Sequence, residues 1–221
     1  MEVNNVKLSN YTGQIKEKDE VSINDHMVNV DKDLQNLRYE VNKLIRYVRG
    51  GSYNDINVGA VALGKSVSAP GTAVISSTTI EVSVFDGAGT TEQLYGDFEI
   101  MHGYKEGTPI EPHVHWMPTT ANVGNVVWQF EYVITNSAGS AISTSTTLAV
   151  STSATGVAWK EVFASFPDIS GTNLTIGNQL AFRFFRIPTG VDNYADDAAV
   201  LTIGVHYEQD SLGSAKEWSK E

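Results

Sequence analysis

The chain contains no cysteine in its 221 residues. Disulfides and thiolate metal sites are thereby excluded, and the redox compartment stays undecided. No apolar run is long enough to span a bilayer and no secretory signal opens the chain, so membrane insertion is not expected. Basic residues are scarce after residue 50. Residues 1–50 balance their charges, whereas 51–221 carry the whole formal charge of −11. A C-terminal part of that sign repels phosphate backbones, which argues against nucleic acid as a partner and for a solvated surface. Hydrophobic residues still make up 41% of the chain, enough for a real core, and the length allows one domain plus an appendage.

What is present begins with a heptad seam. Ile23, Met27, Val30, Leu34, Leu37, Val41, Leu44 and Val48 follow one another at alternating gaps of four and three. That is the a/d pattern of a coiled coil, a stripe too narrow for a globular core. Such a helix buries its stripe against copies of itself; the competing arrangement is a helix packed on its own β domain. The pattern predicts a start near Ser22 as N-cap, with Asp25 in the first turn, and an end at Arg46 and Arg49 followed by Gly50-Gly51. With Leu34 as position a, Asp33 and Arg38 become a g–e pair able to bridge parallel chains. The mixed a layer (Met27, Leu34, Val41, Val48) and d layer (Ile23, Val30, Leu37, Leu44) depart from the dimer rule of β-branched a with leucine d, and a homotrimer is expected. Residues 1–20 are polar and read as an extended arm.

After Gly51 the composition turns to Ser, Thr, Gly, Val and aromatics, with strand-like runs at 56–63, 73–85, 94–101, 110–116, 126–135, 142–150, 157–166, 180–187 and 199–208. Val126, Trp128, Phe130, Tyr132 and Ile134 share one face of a strand, and Leu201, Ile203, Val205 and Tyr207 share another. Asp86-Gly87, Ser137-Ala138-Gly139 and Ser170-Gly171-Thr172 supply turns. The expected fold is mainly β: a jelly-roll-like β-sandwich head at 56–210, preceded by a coiled-coil stalk at 21–49 and a linker at 50–55, and followed by a tail at 211–221. The run 180–187 is bulky on both faces, so both should be covered, the outer one by a neighbouring subunit if need be.

Few constellations carry chemistry. Residues 59–66, Gly-Ala-Val-Ala-Leu-Gly-Lys-Ser, match the P-loop pattern by letter. The segment that follows breaks a helix, and no phosphate-cradling helix N-terminus is expected. The sharpest polar cluster is Glu111, His113 and His115, which project from one side of a strand while Ile110, Pro112, Val114 and Trp116 take the other. Two imidazoles at i and i+2 can present nitrogens to a divalent metal, and His102 and His206 add to them if their strands lie close. Without a metal these histidines simply face solvent or an interface. Asp196-Asp197 lie in a turn-like stretch without EF-hand spacing and read as a solvated loop. Tyr104, Trp159, Tyr194 and Trp218 are the candidates for an exposed sugar platform, although Trp159, with Trp116 and Trp128, also reads as core. No catalytic residue set emerges.

His113-x-His115 within a β-rich chain resembles the cupin motif, which implies a metal-binding enzyme. The glutamate that normally follows is replaced by Met117-Pro118-Thr119-Thr120, which leaves such a site short of ligands. The whole architecture of arm, short coiled coil and β-sandwich head looks like an appendage of a tailed-phage virion, a head fibre or capsid decoration protein. The runs Pro112–Trp116 and Val126–Tyr132 and the Ser/Thr/Gly/Ala-rich stretch 136–156 add to that likeness. The resemblance implies a non-enzymatic structural protein on the particle surface. Residues 1–20 would anchor it to a capsid, collar or tail protein, and the outward head would be able to meet a host-surface glycan or protein. It also implies that His113 and His115 of three chains can hold one structural divalent metal on the threefold axis; no other cofactor is expected. A free-standing carbohydrate-binding module is the remaining alternative.

Overall fold

The computed structural model describes residues 17–49, 51–135, 144–188, 190–217 and 219–220. It divides at residues 47 and 48 into two compact units. The first is built on a single helix, α1 (Glu17–Arg49). It starts five residues before the expected cap. The sequence Glu17-Lys18-Asp19-Glu20 is rich in acidic residues, which suit the first turn of a helix, and Ser22 lies inside the helix. Four residues assigned to the arm are thus helical, and residues 1–16 lie outside the described set. All eight seam residues fall within α1, and the side chains of Ile23 and Val48 are not among those described. The other six, Met27, Val30, Leu34, Leu37, Val41 and Leu44, are 45 to 65% exposed. At the far end, Gly51 takes a left-handed φ of +71°, the conformation glycine favours after a helix.

The second unit is a sandwich of two antiparallel sheets. Its strands are β1 (Ser52–Gly59), β2 (Gly64–Lys65), β3 (Gly71–Val74), β4 (Glu81–Phe85), β5 (Glu92–Glu99), β6 (Ile110–Pro118), β7 (Asn125–Thr135), β8 (Thr146–Ser153), β9 (Val162–Ser165), β10 (Gln179–Arg186) and β11 (Ala198–Gln209). One sheet runs β3-β4-β11-β6-β9, with β1 also paired to β11; the other runs β2-β5-β10-β7-β8. From β4 to β11 the chain passes between the sheets to build β4-β11-β6-β9 over β5-β10-β7-β8, the jelly-roll order. Residues 52–55 are not a linker. They open β1, which pairs with the last strand from Ser52↔Gln209 to Gly59↔Thr202. The run 73–85 resolves into a hairpin of β3 and β4, and Trp159 lies in the loop before β9 at φ 61°.

Alternation explains the core. Val126, Trp128 and Phe130 of β7 are fully buried in one core with Phe85 and Trp116 of the facing sheet and Phe182 and Phe184 of the neighbouring β10. Phe85 meets Trp128 and Phe184 edge-on, with centroids 5.3 and 5.5 Å apart, a favoured aromatic geometry. Two expectations need correction. Leu201 does not share the face of Ile203, Val205 and Tyr207. A bulge between Val200 and Thr202 inserts one residue against β6, and an extra residue reverses the alternation. Leu201 therefore packs on a second, smaller cluster of Val82, Val84, Met117 and Ala199. On β10 the outward Phe185 is buried, but the Arg183 guanidinium of the same strand lies 4.1 Å over its ring, so no neighbouring subunit is needed to cover it.

Arg186 closes one end of the sandwich. It is fully buried and grips Asp192 with two bonds, Nε to Oδ2 at 3.0 Å and Nη2 to Oδ1 at 2.8 Å. It also donates to the carbonyls of Phe85, Tyr194 and Asp196. The loop before β11 is thereby tied to the ends of β4 and β10. A planar five-donor fork suits such a buried junction in a way lysine would not.

Candidate functional site

The outer face of the β1-β11-β6-β9 half-sheet gathers polar side chains of β1, β11 and β6 beside Phe163 of β9. In β6 the inward Val114 and Trp116 are fully buried, which turns His113 and His115 outward, as alternation requires. In β11 the inward Val205 and Tyr207 turn His206 outward, and in β1 the inward Ile56 does the same for Asp55. Register then sets the neighbours: Asp55 and Glu111 both lie opposite His206, and His113 lies opposite Gly204. A side chain at Gly204 would meet the His113 ring at 2.7 Å and Asn57 Cβ at 3.0 Å. The bare backbone there lets the imidazole lie down between the strands.

The His113 ring is completely buried. His206 stacks on it with centroids 4.1 Å apart. Phe163 of β9 lies beside it at 5.2 Å, and His115 meets it edge-on at 5.3 Å. Neither nitrogen of His113 has a hydrogen-bond partner. Its Nε2 lies 3.7 Å from Oδ1 of Asp55, and His206 Nε2 lies 4.0 Å from Oδ2 of the same carboxylate. Burial holds the His113 imidazole far below the ordinary histidine value, at about 4. His206 and His115 push the same way, and the Asp55 carboxylate and the Glu111 backbone oppose them. His113 is therefore a neutral, buried imidazole at physiological pH.

The expected pair is thus divided. His113 converges with Asp55 and His206, whose ligand atoms all lie within 4.8 Å of one another. His115 instead turns to Glu161, with Nδ1 to Oε1 at 2.5 Å. His206 joins the cluster as its strand position allows. His102 does not, since its Nδ1 is bonded to Ser214. Asp55, Gly204, Phe163 and Glu161 escaped sequence reasoning. For Asp55 the signal was there: Asp55 and Asn57 alternate with Ile56 and Val58, the pattern of a strand with one polar face.

The other candidates resolve simply. The P-loop look-alike forms the end of β1, a 3-10 turn (Ala60–Ala62) and β2, with no α-helix behind it. Asp196 is engaged by Thr120 and Asn122. Tyr104 and Tyr194 are buried and serve no exposed platform, Trp159 is half-buried on the smaller cluster, and Trp116 and Trp128 are core. Trp218 lies outside the described residues. A shallow hollow of about 210 Å³ does lie on the five-stranded sheet, lined by Tyr95, Glu131 and Arg183 among others. Tyr95 is 40% exposed there. Arg183 Nε lies 2.7 Å from Glu131 Oε2 as an ion pair, and Arg183 Nη1 donates to Gln93 Oε1 at 3.2 Å.

No protein-family model matches the sequence, and no curated protein matches it. Solved structures do align with the chain. The CBM36-1 domain of a multidomain xylanase from the hindgut metagenome of Trinervitermes trinervoides shares 12% identity. That alignment covers 69% of this chain and 96% of that one, at a TM-score of 0.37. The structure of TmCBM61 in complex with β-1,4-galactotriose shares 10% identity over 72% of this chain and 88% of that one, at 0.32. Both scores are too low to argue from. The β-sandwich stands on its own strand order.

Proposed function

We propose that the chain is a non-catalytic structural protein that assembles with two copies of itself through a coiled-coil stalk and displays jelly-roll heads, as a head fibre or decoration protein on a phage particle. One observation carries the reading: an uninterrupted a/d seam whose described side chains are all exposed in the single chain. Exposed apolar stripes of this period are buried by identical helices, and the a and d layers suit three. The Asp33–Arg38 spacing favours parallel chains, which places all heads at one end. Three weak head contacts then act together through effective concentration. The first 16 residues are left for docking on a capsid, collar or tail protein. Light scattering of the purified chain should give three times 24.0 kDa; a monomer at high concentration refutes the stalk. Mass spectrometry and antibody labelling of intact virions test the location, and a chain missing from the particles refutes it.

A second reading, glycan binding by the head, is favoured by the hollow on the five-stranded sheet. An exposed tyrosine beside an Arg–Glu–Gln row offers a stacking face and hydrogen-bonding groups for a sugar ring. Glycan-array binding that Tyr95→Ala removes supports this reading, whether the head works as an adhesin or as a carbohydrate-binding module. Binding untouched by that change places the sugar elsewhere.

A further inference from the structure

We propose that Asp55, His113 and His206 form a first-row divalent metal site, best suited to zinc, with one ion held within each chain. Two imidazoles and one carboxylate make a nitrogen-rich set, and with no cysteine in the chain the donors are nitrogen and oxygen only. That set suits zinc and its neighbours rather than calcium or magnesium, which demand oxygens. The donors are already gathered: their ligand atoms lie within 4.8 Å of one another. Around a tetrahedral zinc they would sit roughly 3.3 Å apart. The closure required is small, and His206 and Asp55, whose side chains are each 34% exposed, can supply it by tilting.

The second observation is His113 itself. It is wholly buried, and neither nitrogen makes a hydrogen bond of good geometry, although the Glu111 backbone lies close enough to favour its charged form. An unpaired buried polar group is costly, and a metal at Nε2 relieves that cost. Gly204 holds the ring in place from below and Phe163 screens it from the side. The exposed side of Asp55 and His206 leaves a fourth position for water. Such an ion would bind β1 to β11 and β6 at one point, and β1 is the strand that continues the helix. The arrangement differs from a threefold-axis site in stoichiometry and in ligands, because His115 has no part in it.

The test uses the full chain with any affinity tag removed, stripped by chelator and titrated with Zn²⁺. The expected result is one zinc per chain, with a melting temperature raised by roughly 5 to 10 °C when the ion is at about a hundred times Kd. Co²⁺ should give visible d–d bands. His206→Gln and Asp55→Asn should each weaken binding at least about tenfold with an unchanged far-UV spectrum, whereas His115→Gln should bind as the parent does. If a variant fails to fold, imidazole NMR signals of the parent decide: those of His113 and His206 must shift on zinc addition. No binding at millimolar Zn²⁺ overturns the proposal. So does binding retained in both variants, or one ion per three chains that is lost with His115→Gln.

Discussion

Replacing Leu37 and Leu44 with aspartate attacks the seam at two d positions. Each leucine is 60% exposed in the single chain. A fully buried leucine stabilises by about 1.5–3 kcal/mol, so each of these gains about 1–2 kcal/mol on assembly. Six such side chains in a trimer contribute about 6–12 kcal/mol. At 1.4 kcal/mol per decade, the association constant should fall by roughly four to eight powers of ten, before the cost of bringing six carboxylates together. The assay is the molar mass by light scattering across a concentration series, with helical signal and melting followed by circular dichroism. The mass should drop to that of one chain and the helical signal should fall. The head's melting should not change, because the sandwich is its own compact unit. Asn36→Asp and Asn42→Asp, both exposed and off the seam, add the same charge and should leave assembly intact. Trimers persisting in the double leucine variant, with unchanged mass and helicity, refute the stalk.

Other expectations concern the head. Arg186→Met leaves the Asp192 carboxylate buried without its partner, and unfolding experiments should show a loss of about 3–5 kcal/mol; a loss below 1 kcal/mol would mean that the junction is not closed as described. Glu92 is raised above the ordinary 4.5, chiefly by burial and then by Asp86 and Asp197, although the Asp86 backbone and Arg186 oppose this. The folded head therefore holds this proton more tightly than the unfolded chain, and stability falls as pH rises through the raised value. Glu92→Gln can still accept the Asp86 N–H and should flatten that part of the pH–stability curve. An identical curve would show that Glu92 does not contribute.

The head was readable because its strands alternate. Most runs became strands within a few residues of their expected ends, and the Val126–Ile134 face lies against the core. The failures have local causes. Leu201 moved because a bulge is a relation between two strands and leaves no mark in the one that carries it. Asp55 falls in the expected linker 50–55, yet polar residues belong in a strand when its outer face meets solvent. Its place beside His206 depends on a pairing between the first and last strands of the sandwich, which no local pattern encodes. His113 and His115 were recognised as a pair, yet strand geometry alone could not say that one would be sealed under Phe163 and His206 while the other turned to Glu161. The cover of Phe185 is not legible in the sequence because an arginine two residues away does not read as an apolar lid, although its guanidinium stacks well on a ring.

The ladder between β1 and β11 has a mechanical consequence. The stalk helix precedes β1 in the chain, so a pull on it enters the head at Ser52, the first residue of a strand paired over its full length from Ser52 to Gly59. Tension directed along that strand loads its backbone bonds in parallel, in shear, instead of peeling them one by one. A head loaded in this way would yield late and abruptly.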